Sequence, residues 1–153
     1  MINFNNKWMK IAIIEAKKYS KSDEIPISAV LVNLKTNELI SKSCNKVFSK
    51  SDPTAHAEIE VIRKASKLLK TNFLKNTAIY VTLEPCIMCA AAISEAQISR
   101  VYFGAYDNKN GGIENGPRLY NNKNYFKPEV YGGIMEEDCS LIIKNFFKNL
   151  RNK

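Results

Sequence analysis

Two short motifs stand thirty residues apart in this chain: His56-Ala57-Glu58, and Pro85-Cys86 with Cys89. Each lies where a helix is expected to begin, and the interval suits one helix followed by one returning strand. Two helices can then aim their N-termini at a single point. His56 is the only histidine of the 153 residues. Cys86 and Cys89 are three apart, so on a helix both thiols lie on one face and can share a metal ion. Positive helix ends favour thiolate, the form that binds zinc. Two thiolates and a neutral imidazole make a Cys₂His set, which leaves a fourth tetrahedral position for water.

Glu58 gives this set a chemical direction. Residues two apart diverge by about 200° on a regular helix, so His56 and Glu58 cannot both be ligands on one helical face. They converge if the metal lies beyond the end of the helix, with Glu58 reaching the water rather than the metal. A carboxylate so placed is a general base and then a general acid, which is hydrolytic chemistry. Taken singly the parts say less. A Cys-x-x-Cys after a strand also opens the helix of thiol–disulfide enzymes, and a lone histidine is commonly structural. Joined as H-A-E and P-C-x-x-C at two helix starts, they resemble the signature of zinc deaminases.

The remaining elements point to an α/β layer fold with a mixed sheet. Trp8, Met9, Ala12, Ile13 and Ala16 recur at helical spacing in a first helix over 6–19. A β-branched run over 27–32, a turn at Lys35-Thr36-Asn37 and a run over 38–43 predict a hairpin. Asp52-Pro53 is expected to open the second helix, Asp52 as cap and Pro53 in its first position, with Ile59, Ile62, Ala65 and Leu69 buried. A strand over 78–83, a helix from Pro85 to about Ala96 and a strand over 100–105 follow. The polar stretch over 107–127 shows no period, 129–131 suits a short edge strand, and 137–150 a last helix. Two initial strands followed by helix–strand alternation give the layered sheet, and ligands sit where its strand ends feed helices.

Composition fits one soluble domain spanning residues 1–153, at 45% hydrophobic and 25% charged residues. No apolar run approaches the roughly 20 residues of a spanning helix, and the opening MINFNNKWMK lacks the apolar core of a secretory leader. A cytoplasmic protein is expected. Lys and Arg exceed Asp and Glu by 23 to 15, a net charge of +8 that suits a polyanionic partner. The 19 Lys against 4 Arg, with 17 Asn and 17 Ile, equally reflect A/T-rich codons.

DPTAHAEI (52–59), VTLEPCIMCA (81–90) and VYFGAYD (101–107) resemble bacterial tRNA-specific adenosine deaminases, and the similarity runs from the first helix to the final FFKNLR. HAE with PCxxC is shared across the cytidine deaminase-like superfamily; guanine deaminases come close to the longer strings. The resemblance implies a three-layer α/β/α sandwich with a five-stranded mixed sheet, one zinc ion per subunit and a homodimer. It implies hydrolytic deamination of the wobble adenosine to inosine in a tRNA anticodon stem-loop. His56, Cys86 and Cys89 would hold zinc and Glu58 would move the proton. Asn45 matches the residue that contacts the target nucleoside, and Asp107 an acidic residue beside the RNA, where a 2′-OH could donate to it. Loop capping is the ordinary role of both residue types.

Ser28 stands where the family usually has glycine, and Tyr106 where a basic residue is common. Lys144, Lys148 and Arg151 share a helical face that either meets RNA or complements the helix dipole, and Phe146 and Phe147 are candidates for the core. Cys44 and Cys139 read as buried apolar residues, although Cys44 beside Asn45 would complete a structural Cys₃His site if it reached the metal. Two further readings therefore stand beside the first: a deaminase of a free purine such as guanine, and a nucleic-acid-binding module with structural zinc.

Overall fold

The computed structural model describes residues 6–153; part of the N-terminal stretch read against a secretory leader lies outside them. The elements run α1 (Lys7–Lys17), β1 (Ser28–Asn33), β2 (Leu39–Cys44), α2 (Val47–Lys50), α3 (Ala57–Leu69), β3 (Thr77–Leu83), α4 (Ile87–Glu95), β4 (Arg100–Ala105), β5 (Glu129–Tyr131) and α5 (Glu136–Arg151). A single 3₁₀ turn, Leu119–Asn121, interrupts the polar segment before β5.

The five strands form one sheet in the order β2-β1-β3-β4-β5. β1 pairs antiparallel with β2 and β3, whereas β3–β4 and β4–β5 are parallel. The sheet is therefore mixed, as expected. Alternation along the strands builds two cores. Ala29 and Leu31 of β1, Ile79 and Val81 of β3, and Val101 and Phe103 of β4 face α3 and α4. Val30, Val32, Ala78, Tyr80 and Tyr102 face α1 and α5. Helices on both faces make the three-layer sandwich, and the central strands, buried on both sides, are accordingly near-continuous apolar runs.

The first helix buries Trp8, Met9, Ala12, Ile13 and Ala16, the stripe its spacing predicts. Trp8 also donates its indole N–H to Asn37 Oδ1 at 3.0 Å, fixing α1 to the hairpin turn. Ser28, the departure from glycine, is fully buried and donates its hydroxyl to the Ala12 carbonyl. The substitution thus adds a hydrogen bond between β1 and α1.

The expected start of the second helix is corrected. α3 begins at Ala57, not at Pro53. Asp52 caps a tight turn instead: its Oδ1 accepts from Thr54 N at 2.8 Å and Thr54 Oγ1 at 2.7 Å. The buried face is also rotated, running through Ala57, Glu58, Val61 and Ala65, while Ile59 and Ile62 are half-buried and Leu69 is exposed. Glu58 and Glu60 both point inward, so the helix buries carboxylates that a periodicity argument assigns to solvent.

Candidate active site

α3 and α4 follow β2 and β3 on the same face of the sheet, and their N-termini converge. His56 is the N-cap of α3 (φ −69°, ψ 155°) and Cys86 the N-cap of α4 (φ −68°, ψ 173°). Both have extended backbone, so neither side chain follows the helical phase. That is how His56 and Glu58 reach one place despite their spacing. His56 Nδ1 stands 3.6 Å from Cys86 Sγ and 3.5 Å from Cys89 Sγ. The three ligand atoms lie within 4.8 Å of one another, the one such group among the described residues. Zn–S bonds of about 2.3 Å and Zn–N bonds of about 2.0–2.1 Å at tetrahedral angles separate S and N by about 3.6 Å. The donors therefore fit zinc in type and in spacing.

The same proximity sets the proton distribution. The Cys89 thiol and the His56 ring, bonding to Cys86 against the cost of its burial, hold the Cys86 thiol down at about 4. The bond to Cys86 raises the His56 imidazole above its ordinary value, and the bond to Cys86, with burial, raises the Cys89 thiol. Burial pushes the Glu58 carboxyl up to about 7, the neighbouring Cys86 adding to the effect. A carboxyl so poised is suited to both take and give a proton near neutral pH.

A cavity of about 740 Å³ opens over these groups, within the range of small-molecule sites. Its lining includes His56, Glu58 and Cys86, with Asn45 at the end of β2 and Asp107 after β4. Cys89 lies behind them, fully buried. Every site residue expected from sequence is thus drawn to this centre. Asn45 is 7% exposed and its Oδ1 has no hydrogen-bond partner. Asp107 caps its own loop, Oδ1 accepting from Lys109 N at 3.1 Å and Asn110 N at 2.9 Å, while lining the cavity. Cys44 stays apart, its thiol buried and bonded to the Tyr19 hydroxyl, and is not among the grouped donors.

Sequence reasoning missed two parts of the wall. Ile143 and Phe147, one helical turn apart on α5, line the cavity, whereas Phe146 turns into the core. Glu84, 2% exposed, lines it from below and accepts five N–H bonds from the segment 107–115. Tyr106, in place of the usual basic residue, packs edge-on to Phe103 at 5.1 Å at the rim.

The chain belongs to the family defined by the cytidine and deoxycytidylate deaminase zinc-binding region, which matches residues 2–105. Zinc is the metal for which the His56, Cys86 and Cys89 donors are built. Within that family the similarity is to tRNA-specific adenosine deaminases. The one from Rickettsia bellii (strain RML369-C) is 41% identical over 145 residues, 94% of this chain and 100% of its own. A solved structure from work on A-to-I editing by tRNA:A34 deaminases at the wobble position superposes with a TM-score of 0.86 at 43% identity, covering 90% of this chain and 99% of that one. The guanine deaminase from Nitrosomonas europaea shares the fold, with a TM-score of 0.80 at 18% identity over 94% of this chain and 85% of that one.

Proposed function

We propose that this protein is a zinc-dependent hydrolase that converts adenosine to inosine at the wobble position of a tRNA anticodon loop. The observation that carries the reading is the buried Glu58 carboxyl at a cavity floor, beside a three-donor metal group. The tRNA substrate follows from the near full-length similarity to tRNA-specific adenosine deaminases. A structural-zinc module needs four protein donors, and the group has three.

Zinc held by His56, Cys86 and Cys89 supplies the Lewis acidity that makes water a nucleophile at neutral pH. Glu58 takes a proton from the attacking water and delivers it to the adenine ring nitrogen N1. As the C6–N6 bond breaks, Glu58 passes the second water-derived proton to the departing ammonia, so that adenosine and water become inosine and ammonia. The Asn45 amide, its Oδ1 unpartnered, receives the target nucleoside. The Asp107 carboxylate accepts from a ribose 2′-OH beside it, and Lys144, Lys148 and Arg151 of α5 lie along the RNA path.

The catalytic unit is one domain over residues 1–153 acting in the cytoplasm as a homodimer, a state that the family resemblance implies. Ile87, Ala91 and Ala92 leave part of α4 uncovered, a surface suited to a second copy. Among the described residues no helix is long and apolar enough to cross a membrane.

The test incubates the purified protein with a tRNA carrying adenosine at the wobble position, and separately with guanine and adenosine. Inosine confined to the tRNA is expected. Ammonia from guanine alone overturns the substrate assignment.

A further inference from the structure

Glu84 is one of the most deeply buried side chains of the chain and carries a charge. It sits between β3 and α4, two residues before Cys86. Its Oε1 accepts from Asp107 N at 3.2 Å and Asn115 Nδ2 at 2.6 Å. Its Oε2 accepts from Ile113 N at 3.2 Å, Glu114 N at 3.0 Å and Asn115 N at 3.1 Å. A buried carboxylate is tolerable only when its lone pairs are filled, and these donors fill them. All come from one segment that makes no regular element of its own.

That segment is pressed against the metal-donor end of α4. Gly112 N donates to the Pro85 carbonyl at 2.9 Å, and Gly111 bridges to Cys86. A Cβ on Gly112 would come within 2.5 Å of Ile87 N, and one on Gly111 within 2.5 Å of Glu84 Oε2. Only glycines permit so close an approach. The loop's other end carries Asp107 into the cavity wall. A single carboxylate therefore joins the backbone of a metal donor to the wall that faces the substrate.

We propose that Glu84 is a positioning residue: it holds the 107–115 segment, and through it Asp107, in fixed relation to the metal-donor helix, and so sets the fit of the RNA substrate. The functional half of this claim rests on the proposed tRNA deaminase activity; the structural half does not. A residue that positions a contact is expected to act on substrate capture, since small displacements of a site group cost about 10–100-fold.

The experiment compares the full-length zinc-loaded wild type with Glu84→Gln, which turns acceptors toward donors, and with Asn115→Ala, a milder change that leaves the carboxylate in place. Hydrogen exchange of the 107–115 amides is measured together with zinc content and tRNA kinetics. Expected are faster exchange confined to that segment, unchanged zinc content, and a KM for tRNA raised about tenfold with kcat little altered. Adding Asp107→Asn to Glu84→Gln should then cost little beyond Asp107→Asn alone, because both act through one contact. Unchanged exchange in both variants, or losses that multiply in the double variant, overturns the proposal. If the wild type makes no inosine, the activity assignment falls while the exchange data still decide whether Glu84 holds the loop.

Discussion

His56 and Cys86, thirty residues apart in sequence, are the N-caps of adjacent helices and meet with Nδ1 and Sγ 3.6 Å apart. Extended backbone at both caps releases the side chains from helical phase, so each can turn toward the shared point. The cap positions, rather than the helices themselves, build the donor group.

Removing either donor is expected to abolish zinc binding while leaving the sheet intact. His56→Ala or Cys86→Ser should lower the metal content from one ion per chain toward none, read by atomic absorption. Loading zinc into the metal-free protein should release protons, because the Cys89 thiol is held protonated beside Cys86 and must give its proton up to bind. A pH-stat titration measures this.

Asn45 separates function from stability. Its Oδ1 is buried without a partner, so truncation removes an unsatisfied group rather than a bond. Asn45→Ala should leave thermal stability unchanged or slightly raised. It should lower kcat/KM on tRNA by about 10–100-fold, the cost of about 1–3 kcal/mol for a lost buried hydrogen bond to substrate. Calorimetry and kinetics on the same preparation test both halves.

Ser28 makes the opposite prediction. Its buried hydroxyl donates to the Ala12 carbonyl across the β1–α1 contact. Ser28→Ala should cost about 1 kcal/mol, which lowers the melting temperature by about 2–4 °C for a domain of this size. Activity at low temperature should be unaffected.

Much of this architecture is legible in the sequence. The stripe from Trp8 to Ala16 follows from helical periodicity, because α1 buries one face, and the bounds of β4 and β5 follow from short runs of β-branched and aromatic residues. The donor group is legible because few residue types bind zinc and their spacing is restrictive. The start of α3 is not. Asp52-Pro53 carries a helix-start signal, yet its carboxylate closes a turn with Thr54, and the preceding segment forms α2. Glu60, buried and paired with Lys50 at 2.7 Å, lies on a face of α3 that its apolar period does not mark. Glu84 is hidden for a different reason. Its partners are four backbone N–H groups and one amide from 107–115, and backbone donors look alike in every sequence.

Glu58 is where the central claim is most exposed. Glu58→Gln keeps the size and burial of the side chain but cannot shuttle a proton. The measurement is ammonia released from a tRNA with wobble adenosine, alongside zinc content and tRNA affinity of the same variant. Zinc and affinity retained with ammonia release lowered by about 10²–10⁴-fold is the predicted result. Ammonia release at the wild-type rate from Glu58→Gln would contradict it.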